Sequence, residues 1–119
     1  MKNLQELNNE IKRLGVIIIR KKEKNLELTE SIRFKKNVVL VAITEELDTN
    51  GKKKYSNESI RTEELNNRLS KDVEYLKQIE DNKILLSEID MSCVELEHLK
   101  GLFKILTLEK MIEHNITAI

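Results

Sequence analysis

Three groups of residues have types and spacings that chemistry uses. Glu95-Leu96-Glu97-His98 contains a Glu-x-x-His step, which in di-iron helical bundles sets a carboxylate and an imidazole on one helical face as metal ligands. Such a site needs two of these steps with further carboxylates facing them. This chain has one, so a second copy would have to complete the set; a partly exposed His beside a packed seam is the simpler reading. His114 has only Glu109 and Glu113 for carboxylate neighbours. Cys93 is the single cysteine, which excludes an intramolecular disulfide and a multi-cysteine zinc site within one chain. It falls in an apolar repeat, where a small buried hydrophobe is its ordinary role. The sequence has no glycine-rich phosphate loop, no serine nucleophile elbow and no His-Glu-x-x-His pair. The expectation is a non-enzymatic protein with no catalytic residue, metal or cofactor.

The second group is cationic: Arg20-Lys21-Lys22, Arg33 with Lys35 and Lys36, and Lys52-Lys53-Lys54. Lysines and arginines in such clusters can follow a phosphate backbone. Only Phe34 and Tyr55 lie near them for base stacking, which disfavours a sequence-reading single-strand binder. The net charge is zero, yet it is segregated. From Lys12 to Lys54 twelve cations face six anions, and from Glu58 to Glu97 five cations face eleven anions. A basic helix lying against an acidic one explains this without any nucleic acid, because charges flanking a helix seam select partner and orientation.

The third group is the apolar repeat that must position everything else. Leu4, Leu7, Ile11, Leu14, Ile18, Leu28, Ile32, Val39 and Ala42 keep a three-and-four spacing, the seam of a coiled coil. That register also puts Lys21, Asn25 and Lys35 on the seam, where polar side chains weaken packing but fix alignment. A second series runs through Leu65, Leu69, Val73, Leu76, Ile79, Leu86, Ile89, Cys93, Leu96, Leu99, Phe103 and Leu106. Between the two lies the only dense cluster of turn residues, Asp48 to Asn57. Gly51 there suits the left-handed conformation that ends a helix. Ser56 suits the next N-cap, with Tyr55 and Ile60 as a hydrophobic staple.

These features predict an all-α, long antiparallel helical hairpin of one domain: helix 1 over about 3–48, a tip over 48–57, helix 2 over about 57–100 and an apolar helical tail over 101–115. Residues whose numbers sum to about 105 then face each other, placing Lys24 near Asp81, Arg33 near Asp72 and Leu4 near Gly101. The competing reading makes Val16 to Ile19 and Val38 to Ile43 short buried strands, but no turn signals flank them.

In the tail, Leu102, Phe103, Ile105, Leu106, Leu108, Met111 and Ile112 fill seven of eleven positions and point in nearly every helical direction. Self-association into a helical bundle, with a homo-oligomeric dimer favoured, would cover them through Leu102, Phe103, Leu106 and Met111. The longest apolar runs are far short of the roughly 20 residues that span a bilayer, so no membrane role is expected. Met1-Lys2-Asn3 does not open onto a signal-peptide core. The triplets Asn57-Glu58-Ser59 and Asn115-Ile116-Thr117 are then accidents of an Asn-rich composition.

The stretch from Asn50 to Arg61, Asn-Gly-Lys-Lys-Lys-Tyr-Ser-Asn-Glu-Ser-Ile-Arg, with Leu65, Leu69 and Tyr75 after it, resembles small helical-hairpin proteins of phages and prophages. Those carry an Asn-Gly-Lys, Tyr-Ser-Asn-Glu, Arg tip between two long helices, sometimes in gene neighbourhoods concerned with DNA recombination. The resemblance implies a mobile-element accessory protein of the bacterial cytoplasm with an unknown protein partner. It makes Lys52, Lys53, Lys54, Tyr55, Asn57 and Arg61 the candidate contacts at the tip. The alternative is a DNA- or RNA-binding accessory factor that adds Arg20, Lys21, Lys22, Arg33 and Lys36 along the basic edge.

Overall fold

The structure is a computed structural model that describes residues 2–118, the last three by their backbone alone. Met1, where the reading of a leader begins, and the Ile116 and Thr117 side chains of the second Asn triplet lie outside the described residues. The chain is an all-α helical hairpin built from α1 (Leu4–Glu45), α2 (Glu58–Leu69) and α3 (Val73–Ala118). Both β-branched runs of the competing reading lie inside α1. Among the described residues the only β pairing is an isolated bridge between Leu47 and Lys53.

Helix starts follow their caps. Asn3 accepts from the Glu6 N–H at 2.9 Å while its amide donates to the Glu6 carboxylate at 3.3 Å, closing the first turn of α1. Asn57, in extended conformation, accepts from the Ile60 N–H at 2.9 Å and opens α2. The cap is thus Asn57 and not Ser56. The staple positions move with it to Ser56 and Arg61, away from Tyr55 and Ile60. Asp72 accepts from the Tyr75 N–H at 3.0 Å and opens α3.

Helix 2 is therefore interrupted where the sequence reading had it continuous. At Ser70 to Asp72 the backbone tightens, with Lys71 N–H donating to Arg68 C=O and Asp72 N–H to Leu69 C=O, each at 3.2 Å. The break resets the helical phase. Tyr75 and Leu85 are buried, whereas the expected seam residues Val73, Leu76 and Leu86 are exposed. A smaller phase drift occurs in α1, where Ile43 is fully buried and Ala42 is exposed. A straight helix of 3.6 residues per turn slips against a strict heptad in this way.

The chain divides into two compact units. The terminal unit joins Met1–Glu23 to Leu85–Ile119. Its core is Leu7, Leu14, Ile18 and Leu99, with Ile11, Cys93, Leu96, Phe103 and Leu106 packed against it. The tip unit, Lys24–Ile84, is centred on Ile32, Leu69 and Tyr75, with Val39, Leu65 and Ile79 around them.

Within each unit the polar seam residues find polar partners on the antiparallel helix. In the tip unit Asn25 donates to Asn82 Oδ1 at 2.7 Å, Lys35 meets Asp72 at 3.0 Å and Gln78 donates to Ser31 at 2.9 Å. In the terminal unit Lys21 meets Glu88 at 3.4 Å. The paired numbers sum to 107 or 109, slightly beyond the expected 105. Asp72 accordingly pairs with Lys35 and not with Arg33, and among the described residues Lys24 and Asp81 form no ion pair. At the start of α1, Leu4 shares a groove with Thr107 and Met111, not with Gly101. As expected of the tail, α3 runs through Gly101 as helix, and α1 covers one side of its continuation through Phe103 and Leu106.

Candidate interaction surfaces

Helix α1 ends at Glu45, about three residues before the expected end near 48, so the tip begins at Glu46. Asp48 organises it. Its Oδ1 accepts from the N–H groups of Asn50 at 2.8 Å and Lys52 at 3.0 Å, an Asx-type turn. Its backbone N–H donates to Lys52 C=O at 2.7 Å, and Gly51 N–H donates to Asp48 C=O at 3.1 Å. Gly51 has φ 77°, so its left-handed conformation serves a tight hairpin turn with a bulge and not a helix C-cap. The turn lies outside both helices and is held by its own hydrogen bonds.

Three of the tip cations proposed as contacts are engaged in this local structure. Lys53 Nζ donates to Thr44 C=O at 3.2 Å, at the electronegative end of α1. Lys54 reaches Glu46 at 3.4 Å and stands 5.5 Å from the Tyr55 ring centre. Arg61 donates to Tyr55 C=O at 3.2 Å. The sequence reading missed Arg68, which is central here. It bonds Glu46 at 2.6 Å and Glu64 at 2.8 Å and lies 5.8 Å from the same ring. The Arg68 hydrogen bond holds the Glu46 carboxyl below its ordinary range, and Glu46 in turn raises Lys54. The available signal was the i, i+4 spacing of Glu64 and Arg68. Asn57 is used as the α2 cap, and Lys52 is exposed with its side chain outside every ion pair among the described residues.

Along α1, Lys21 is partly buried on Glu88. Arg20 and Lys22 in the terminal unit, and Arg33 and Lys36 in the tip unit, are exposed and form no ion pair among the described residues.

No known protein family, curated protein or solved structure matches the chain.

The most distinctive surface is on α3 in the terminal unit. Of the four residues proposed for self-association, Phe103 and Leu106 pack into the core shared with α1 and are not available. Leu102 and Met111 are exposed. Beside them runs a second apolar series on the side of α3 opposite the core. Met91, Ile105 and Ile112 repeat at seven residues with His98 between them, and Val94 and Leu108 repeat at seven with Gly101 between them. Met91 and Val94 are 70% and 71% exposed, and Ile105, Leu108 and Ile112 are each at least half exposed. The sequence reading groups Ile105, Leu108 and Ile112 with the rest of the tail as pointing in nearly every direction and passes over Met91 and Val94; the seven-residue repeat is the signal that separates them. An apolar groove of ≈ 410 Å³ opens beside the stripe between Lys2, Leu7, His98, Leu102, Ile105 and Glu109.

Glu95 borders the stripe and His98 lies within it, but the two gather no metal set. Among the described residues no group of three or more His, Cys, Asp and Glu could hold a metal ion. Among the same residues no helix is long and apolar enough to cross a membrane.

Proposed function

We propose that this chain is a non-enzymatic protein–protein interaction module, a phage or mobile-element accessory protein of the bacterial cytoplasm, whose binding face is the outer stripe of α3. The observation that supports this most is the heptad-spaced row of Met91, Val94, Ile105, Leu108 and Ile112 on exposed helix. Seven-residue spacing is the repeat a second helix needs in order to insert its own side chains between these. Apolar side chains this exposed and this regularly spaced mark an interaction site more often than bare solvent-facing surface. The tip supports the same reading, since Lys53, Lys54, Arg61 and Arg68 are spent on holding its shape.

The test is capture from an extract of the host with two baits, the wild-type chain and Ile105→Glu/Leu108→Glu. Both substitutions are on exposed positions, so far-ultraviolet circular dichroism should be unchanged. Proteins retained by the wild type and absent from the variant are the expected result. Identical retention by both baits contradicts the assignment of this face.

A DNA- or RNA-binding role in recombination is the second reading, and the exposed Arg20, Lys22, Arg33 and Lys36 favour it. Titration with single- and double-stranded oligonucleotides at two salt concentrations distinguishes the two. Phosphate binding weakens steeply as salt rises, and Arg20→Gln/Lys22→Gln and Arg33→Gln/Lys36→Gln variants should lose it.

A further inference from the structure

We propose that the occupant of the outer stripe is a second copy of this chain, packed so that the two α3 helices run antiparallel with Val94 against the partner's Ile105. This rests on the interaction-module reading and adds the partner and its register. The stripe has two irregular members, His98 and Gly101, three residues apart. One is a large polar ring and the other has no side chain. In antiparallel helix pairs the two alternating seam positions face each other, whereas in parallel pairs each faces its own kind.

Antiparallel pairing in this register gives the layers Met91 with the partner's Leu108, Val94 with the partner's Ile105, and His98 with the partner's Gly101. The ring then lies over bare backbone, twice by symmetry, and large opposes small as close packing requires. A Cβ at Gly101 would meet nothing within 4 Å inside its own chain. Packing within the hairpin therefore does not explain a helix-weakening glycine there, while a ring arriving from outside does. Parallel pairing would set His98 on His98 and leave a gap between two glycines.

Flanking charge agrees. The antiparallel register brings Glu97 beside the partner's Lys104, and both side chains are exposed. Among the described residues the only ion pair of Glu97 is with its neighbour Lys100, at 3.6 Å. The register also sets Glu88 near the partner's Glu109, where Lys21 already compensates Glu88 at 3.4 Å. In a parallel pair Lys104 gains the partner's Glu109, but Asp90 meets the partner's Glu95 with like charge. Attraction and repulsion then cancel, and the size of the layers decides.

Single-cysteine chains in a Cys93→Ser background read the register. Val94→Cys and Ile105→Cys are oxidised separately and as a mixture, with sedimentation of each run beforehand. The mixture should form a Val94→Cys to Ile105→Cys disulfide, and neither chain should link to itself. Residue 94 and the partner's residue 94 would be displaced by eleven positions, about 16 Å along the helix, against the roughly 4.4–6.8 Å between Cα atoms that a disulfide spans. Met91→Cys with Leu108→Cys is a second pair that should behave alike.

Self-linking of Val94→Cys overturns the antiparallel register while leaving a helix-binding face intact. A monomer at all concentrations, with no disulfide from either mixture, overturns the second copy as occupant. The module reading then stands or falls on the capture experiment alone.

Discussion

Replacing the Asn25–Asn82 pair tests whether polar seam residues set the alignment of the tip unit. The two amides meet at 2.7 Å and are partly buried. A hydrogen bond of this kind contributes a net ~1 kcal/mol, within about 0.5–1.5. Each single substitution to Ala breaks the bond and leaves the other amide facing the seam. Alanine is also the better helix former, by about 0.5–0.7 kcal/mol, so each single variant loses only a few tenths overall. The double variant Asn25→Ala/Asn82→Ala loses the bond once but gains helix propensity twice. Propensity cancels in the double-mutant cycle, and a coupling of ~1 kcal/mol remains. Urea unfolding followed by far-ultraviolet circular dichroism supplies the four free energies. A coupling indistinguishable from zero would show that the contact does no aligning work and would refute the reasoning.

Two further outcomes follow from the tip and the break. Gly51→Ala should cost about 1–2 kcal/mol in urea unfolding, because alanine is strained at φ 77° although its Cβ would meet nothing within 4 Å; Gly51→Asn should cost less, since Asn tolerates that conformation. Asp72 sits below the ordinary carboxylate range because it accepts from the Tyr75 N–H and then from Lys35. A lowered folded value contributes stability that is fully present above the unfolded value of about 3.9 and lost as pH falls through the folded one. Asp72→Asn keeps the cap and removes the charge, so the gap in melting temperature between wild type and variant should close on acidification. A gap that persists at low pH would remove the charge from the explanation.

The sequence was most legible where one physical preference acted alone. Apolar three-and-four spacing from Leu7 to Ile32 had only a helix seam to satisfy, and the seam is there. Asp48 to Gly51 could do little but turn. Lys21, Asn25 and Lys35 stood out as polar intruders on an apolar stripe, and each meets a complementary group across it.

Legibility failed where two preferences shared the same residues. At Ser70 to Asp72 a spacing of three and four continued through Leu69, Val73 and Leu76, which hid a cap. Asp72 won because its carboxylate closes the α3 start and pairs with Lys35, and burial passed to Tyr75. Asn57 displaced Ser56 by the same kind of competition between neighbouring cap formers. In the tail, inner residues Phe103 and Leu106 interleave with outer residues Ile105 and Leu108. Apolar content alone therefore could not separate the face that α1 covers from the face left open.

The methyl groups of the outer face of α3 report directly on whether a second chain covers it. Methyl-labelled Ile, Leu, Val and Met spectra recorded over a dilution series should show concentration-dependent shifts at Met91, Val94, Ile105, Leu108 and Ile112. Leu7, Leu14 and Ile18 in the core of the same unit should stay fixed. Spectra that do not change with concentration, or changes centred on the inner seam, would contradict coverage by a second chain.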